Sequence, residues 1–298
     1  MEKNLEKKQR KGYNKGIKHK KKESIQMNAF NFMPEGWEKE TVSLAKEETK
    51  NIMEKGDILQ GIVEKCDEHY NLQVKLGNGM LGIIPREEVE AINIGQDGLP
   101  KENLCTGKVH KYVQFKIKDI DQNQIPILSR KEVQKEALNH IKQELQIGQR
   151  VNGIVKNITS YGAFIEIGGG VVGLVHIEDL SVARIKTPFE RLKIGQKLNF
   201  VVKSIDREQG KFSLSYKENF GTWEENAKQF EVGKTVKGIV RETEKNRNGI
   251  FVELTPNLVG MAEYQEGLTY GEPVEVAIKK IDYDKKKVKL IITSPKEK

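Results

Sequence analysis

Apolar and polar residues alternate strictly along three short stretches of this chain. In Ala163-Phe164-Ile165-Glu166-Ile167, Ala163, Ile165 and Ile167 share one face, and Phe164 and Glu166 share the other. A period of two is that of a strand half-buried on a sheet. The same reading puts Ile250, Val252 and Leu254 inward with Phe251 and Glu253 outward, and Leu72, Val74 and Leu76 inward with Gln73 and Lys75 outside. Each stretch follows a Gly-x-x-apolar-x-Gly-Ile-Val segment, at Gly56–Val63, Gly148–Val155 and Gly233–Val240. Each precedes a second glycine step (Gly82, Gly173, Gly260) and then a Lys-x-Ile-Asp ending at Asp121, Asp206 and Asp282. A fixed order with variable loops marks a repeat of one supersecondary unit. Gly77-Asn78-Gly79 and Gly168-Gly169-Gly170 have the composition of hairpin turns that need positive φ. Lys211–Ser215 closes the middle unit after a turn at Arg207–Gly210.

Helical spacing separates the repeats. Val133, Ala137, Ile141 and Leu145 fall on one face of Arg130–Leu145, and Phe220–Phe230, with Trp223, forms a second short connector. Glu38–Lys55 carries good helix formers and is expected to be helical. The chain is therefore expected to be all-β repeats joined by short helical connectors. A tail and short helix occupy 1–53, repeats lie at 54–132, 146–218 and 231–298, and helical linkers at 133–145 and 219–230. Residues 1–25 lack apolar periodicity and are expected to be disordered. Phe30, Phe32 and Trp37, in an apolar stretch before the first repeat, are expected to pack onto that repeat.

Charge sharpens this division. The net charge is +8, and residues 1–22 alone hold ten Lys/Arg against two Glu, so the remainder is balanced. The middle repeat has 11 basic and seven acidic residues, the first 11 and 13, the third 13 and 11. Concentrated basic charge is the electrostatic footprint of a polyanion binder. No apolar run approaches the roughly 20 residues of a membrane span, nor does one follow the N-terminal lysines as in a secretory signal. Cys66 and Cys105 are the only cysteines, which fits a reduced, cytoplasmic setting. No metal-ligand spacing involves the five histidines, and no phosphate loop or nucleophile elbow occurs, so neither catalysis, a metal nor a cofactor is expected.

By alternation, Phe164 and His176 face outward, and Tyr161 precedes Phe164 in a Tyr-Gly-Ala-Phe turn. Flat side chains beside cations hold single-stranded nucleic acid with little sequence preference. Together these residues resemble the S1 RNA-binding domain: Tyr-Gly-Ala-Phe-Ile-Glu-Ile-Gly-Gly-Gly, Gly-Leu-Val-His-Ile and Ser-Leu-Ser-Tyr-Lys-Glu, across residues 146–218. The resemblance implies a five-stranded OB-fold barrel in each repeat, with RNA contacts at Tyr161, Phe164, His176, Asp206 and Lys211. In the third copy it carries over to Phe251 and Lys287, but Asn248 stands at the Tyr161 position and Glu263 at that of His176, so weaker binding is expected there. The first copy keeps Tyr70 but has Gln73 and Pro85 at the Phe164 and His176 positions. Its Gly-Ile-Ile-Pro-Arg-Glu is similar to the N-terminal repeat of bacterial ribosomal protein S1, where the first repeats are associated with ribosome docking. The whole chain resembles short three-repeat proteins of that type. The expected partners are single-stranded RNA (mRNA) and the 30S ribosomal subunit through the N-terminal segment and first repeat, with no membrane. The alternatives are a free RNA regulator of mRNA stability or gene expression, and a protein-interaction scaffold of OB folds.

Overall fold

The computed structural model describes residues 32–92, 94–243 and 249–293. The basic tail, Phe30 and Asn248 lie outside them. The first repeat contains β1 (Leu59–Cys66), β2 (Leu72–Lys75), β3 (Leu81–Ile84), β4 (Tyr112–Ile120) and β5 (Pro126–Ser129). The middle one contains β6 (Arg150–Ile158), β7 (Gly162–Gly168), β8 (Val171–His176), β9 (Lys197–Asp206) and β10 (Lys211–Ser215). The third contains β11 (Thr235–Thr243), β12 (Ile250–Thr255), β13 (Leu258–Ala262), β14 (Pro273–Asp282) and β15 (Lys287–Ile292). Each set closes into a barrel in the neighbour order first, second, third, fifth, fourth. The third and fifth strands pair in parallel, and the other neighbours are antiparallel. These are the closed five-stranded barrels that the resemblance implies.

The repeated glycines explain why the motif is needed. An added Cβ at Gly153 would meet Phe200 Cδ2 at 2.8 Å and Ile165 closer still. At the equivalent Gly61 it would meet the Lys75 carbonyl at 2.6 Å. The second glycine step is also a close approach, with Leu128, Leu214 and Leu290 seated against Gly82, Gly173 and Gly260. Gly153→Ala is expected to cost about 1–3 kcal/mol through overpacking. Urea unfolding checks this, and a loss well below 1 kcal/mol would mean the barrel expands freely there.

Two helical expectations change in extent. Helix α1 covers only Lys46–Lys55. The residues before it are drawn out because the Val42 and Leu44 amides donate to the Gln60 and Leu76 carbonyls and Leu44 is buried in the barrel core. A short helix α2 (Glu102–Thr106) lies in the loop before β4. Helix α3 (Arg130–Glu144) is capped by Ser129, whose hydroxyl accepts from the Glu132 amide at 3.0 Å. It buries Val133, Ala137 and Ile141. Helix α4 (Trp223–Ala227) is capped reciprocally by Thr222 and Glu225. No helix among the described residues is long and apolar enough to cross a membrane.

The segment before the first repeat also departs from expectation. Phe32 lies beside His140 of α3, with ring centroids 5.8 Å apart. The Trp37 carbonyl accepts from Lys197 of the middle repeat, whose ammonium stands 5.8 Å from the indole centroid. Phe32 and Trp37 thus reach the linker helix and the middle barrel, while their neighbours Gly36 and Lys39 meet Gln60 and Tyr112 of the first repeat. Glu35 between them is buried and pinned by Arg130 in two bonds, Nε to Oε1 at 2.6 Å and Nη2 to Oε2 at 3.0 Å.

Candidate nucleic-acid interface

Strand register fixes the outer face of the middle barrel. Phe164 on β7 pairs with Leu174 on β8, and Leu174 pairs with Ser213 on β10. Two residues further along β8, His176 pairs with Gly162. Directly paired residues point the same way, so Phe164, Leu174 and Ser213 form a row on the outside.

Tyr161 stands just before β7, 48% exposed. Its ring meets Phe164 edge-on, with centroids 6.3 Å apart and planes at 85°. The Ile177 amide donates to the Tyr161 carbonyl at 2.8 Å and ties this turn to the end of β8. His176 Nδ1 accepts from the Glu178 amide at 3.5 Å, and the Glu178 carboxylate lies 3.6 Å away. Tyr161, Phe164 and His176 therefore gather at one end of an open face.

Asp206 and Lys211 sit at the other end of that face. They pair across β9 and β10, but form no ion pair with each other. Asp206 accepts from the Gln209 amide at 2.8 Å and shapes the turn, while Lys211 donates to Gln209 Oε1 at 2.6 Å. Leu174, outward beside Phe164, was not singled out from sequence, although the alternation Leu174, His176 in Gly-Leu-Val-His carries it.

Much of the middle repeat's positive charge is committed elsewhere. Lys203 and Lys217 hold the Asp179 carboxylate at 2.7 and 3.1 Å. Burial would raise that carboxyl, but hydrogen bonds from the two lysines hold it below its ordinary value. Arg191 reaches Glu253 of the third repeat at 2.7 Å.

Glu166 and Glu253, assigned outward by alternation, are buried at 1% and 6% exposure. A neighbouring element covers each. Glu166 accepts from the Glu35 and Gly170 amides at 2.8 and 3.0 Å. It lies 2.7 Å from Lys156 Nζ, in ion-pair contact. Burial, then the charge of Glu35, pushes the Glu166 carboxyl up, and Lys156 pulls it back. Glu253 takes Arg191 and Arg241. Gly170 is left bare because Arg130 passes over it, where a Cβ would overlap Nη2.

The third barrel repeats the layout with changes. Phe251 pairs with Met261 and with Glu242, where the middle barrel has Leu174 and Asn157. Lys287 pairs with Asp282, which accepts from the Lys285 amide at 3.0 Å and Lys280 Nζ at 3.2 Å. Glu263, at the His176 position, is exposed.

The corresponding face of the first barrel is occupied. Arg86 stacks on Tyr70 with its guanidinium carbon 4.9 Å from the ring centroid. The Glu102 carboxylate beside the Tyr70 hydroxyl raises its pKa. Among the described residues, no group of three or more His, Cys, Asp or Glu is placed to hold a metal ion.

The chain is 32% identical over 261 residues to small ribosomal subunit protein bS1 of Staphylococcus aureus, covering 78% of this chain and 64% of that protein. It is 31% identical over 236 residues to the bS1 of Chlamydia muridarum, covering 75% of this chain and 40% of that one. The chain thus spans less than two thirds of these relatives. A solved multidomain protein with nucleic acid binding domains from Streptococcus pneumoniae is 16% identical over 80% of this chain and 74% of its own, with a TM-score of 0.26, too low to build on. The family model for the S1 RNA binding domain matches residues 52–131 and 144–217. More than half the chain falls within these two spans, and the chain belongs to the S1 RNA binding domain family.

Proposed function

We propose that this chain binds single-stranded RNA without catalysis, in the cytoplasm, on or beside the small ribosomal subunit during translation. The observation that carries this is the open face on which Tyr161, Phe164 and His176 converge. Bases stack on Tyr161 and Phe164, with His176 beside them, while Lys211 at the far end of the face meets phosphate. Asp206 supports Lys211 indirectly, by ordering the turn that holds Gln209. Phe251 and Lys287 give the third repeat a weaker version of the same face. The name of the bS1 relatives supports the ribosomal setting, and the occupied Tyr70 face leaves the first repeat and N-terminal segment for docking.

Stacking requires unpaired bases, so a labelled single strand is expected to bind well above the same sequence annealed into a duplex. Equal affinity for both would overturn recognition by stacking. Tyr70→Ala is expected to leave single-strand affinity within about twofold, since its ring is already covered. Co-sedimentation of the chain with small subunits separates the ribosomal reading from that of a free RNA regulator, which would stay in the supernatant.

A further inference from the structure

The loop that leaves His176 of the middle barrel ends against the third. The Ala183 amide donates to the Pro256 carbonyl at 2.9 Å, and the Val182 amide to Asn257 Oδ1 at 3.2 Å. Asn257 Nδ2 in turn donates to the Lys217 and Gly221 carbonyls, both at 2.8 Å. This clamp sets Arg184 beside β11, where Nη1 bonds both oxygens of Glu242 at 3.0 and 2.9 Å. Glu242 is the cross-strand neighbour of Phe251.

A cleft of about 540 Å³ opens between the two barrels, lined among others by Val182, Arg184, Phe251, Met261, Lys287 and Lys289. That volume is in the range of small-ligand sites. Its lining includes one aromatic ring, Phe251, and Met261, which is 43% exposed. Lys289 pairs in register with Met261. Among the described residues, neither Lys287 nor Lys289 has a side-chain ion pair or hydrogen bond. A flat apolar floor with unpaired cations at the rim suits a nucleobase and its phosphate. One group opposes that use: Glu242, which stands where the middle barrel has neutral Asn157. Arg184 supplies the opposing charge, and it comes from the neighbouring repeat.

We propose that the cleft takes one nucleotide of single-stranded RNA, and that Arg184 is the positioning residue that makes the third repeat competent by masking Glu242. The base lies on Phe251 against Met261, and the phosphate meets Lys287 and Lys289. The proposal rests on the RNA-binding reading above and adds a composite site that the third repeat does not build alone. Because the loop begins at His176 and ends at Arg184, one strand leaving the middle face enters this cleft next.

The test uses the full chain and an oligouridylate carrying photoreactive 4-thiouridine. Cross-links are expected on the peptide containing Phe251 and Met261 as well as on that containing Tyr161 and Phe164. Arg184→Ala removes an exposed side chain, so the fold persists. It should weaken binding by about fivefold, the order of one solvated charge contact, and deplete the Phe251–Met261 cross-link. In a Glu242→Gln background the same substitution should cost less, because no charge is left to mask. A merely structural role for Arg184 would not depend on the charge of Glu242. Cross-links confined to the middle repeat, with unchanged affinity in Arg184→Ala and Met261→Ala, would overturn the cleft and leave the middle face standing. Absence of any RNA binding by the wild type would overturn both. An acidic peptide that binds the cleft without competition from RNA would also overturn the assignment.

Discussion

Replacing Arg130 by methionine is expected to destabilise the protein by about 3–5 kcal/mol, the usual result of removing one partner from a buried ion network. Arg130 is 1% exposed. It pairs with Glu35, with Glu90 at 2.9 Å and with the Val89 carbonyl at 3.0 Å. Methionine replaces the aliphatic stem but leaves two buried carboxylates short of a partner, with Lys108 at 3.0 Å and the Gln134 side-chain amide at 2.8 Å remaining on Glu90.

The contribution of Glu35 to the pH dependence should invert as well. In the wild type, burial would raise the Glu35 carboxyl, but Arg130, Lys108 and Lys156 bring it down to about 2. Its folded value lies below its unfolded one, so its contribution is complete above the ordinary carboxylate pKa and is lost as pH falls toward 2. Without Arg130 the burial effect dominates and the folded value rises above the unfolded one. The variant should then gain more stability than the wild type as pH drops from about 7 to about 5, because the raised Glu166 carboxyl acts in both proteins and the raised Glu35 carboxyl only in the variant. Urea unfolding across that range reads both effects. An unchanged midpoint together with an unchanged pH trend would mean the network does not hold the first two repeats together.

Phe164→Ala is expected to weaken single-strand RNA binding by roughly 5- to 150-fold, taking about 1–3 kcal/mol per stacked base and 1.4 kcal/mol per tenfold. Phe164 is only partly buried and points away from the barrel core formed by Ala163, Ile165 and Ile167. The substitution therefore removes a platform and leaves the core intact. Tyr161 loses its edge-on support at the same time, which places the expected loss nearer the upper end. A fluorescence titration of the full chain at near-physiological salt measures it. Unchanged affinity would move recognition off the middle barrel.

The strands, their facing and the aromatic cluster were legible because period two, paired glycines and Tyr-Gly-Ala-Phe are local signals. Glu166 and Glu253 were misplaced for a physical reason. Alternation reports which side of a strand a residue occupies, and solvent lies on the outer side only if no neighbouring element does. The contacts that bury these two glutamates come from Glu35 and from Arg191, far away in sequence. Arg184 was hidden likewise, since nothing in its surroundings along the chain shows that it ends over the face of another repeat. The extended run before α1 was missed because its backbone partners, Gln60 and Leu76, outweigh helix propensity. Regional charge also overstated the middle repeat, where Lys156, Lys203 and Lys217 serve buried carboxylates.

The buried glutamates recur at one position, two residues beyond the aromatic of the second strand, each ion-paired with a basic residue on the first strand: Lys156 with Glu166, and Arg241 with Glu253. In the first barrel the same pair is reversed, Glu64 with Lys75, and both side chains are solvated. The repeats are thus keyed pieces and not interchangeable beads. A chimera that exchanges the first barrel for the third would bring like charges to the seam, even though each barrel closes on its own. Copying or shuffling repeats in such an array carries a matching condition: a socket must travel with the plug that fills it, which makes order along the chain a heritable property of the surfaces as well as of the sequence.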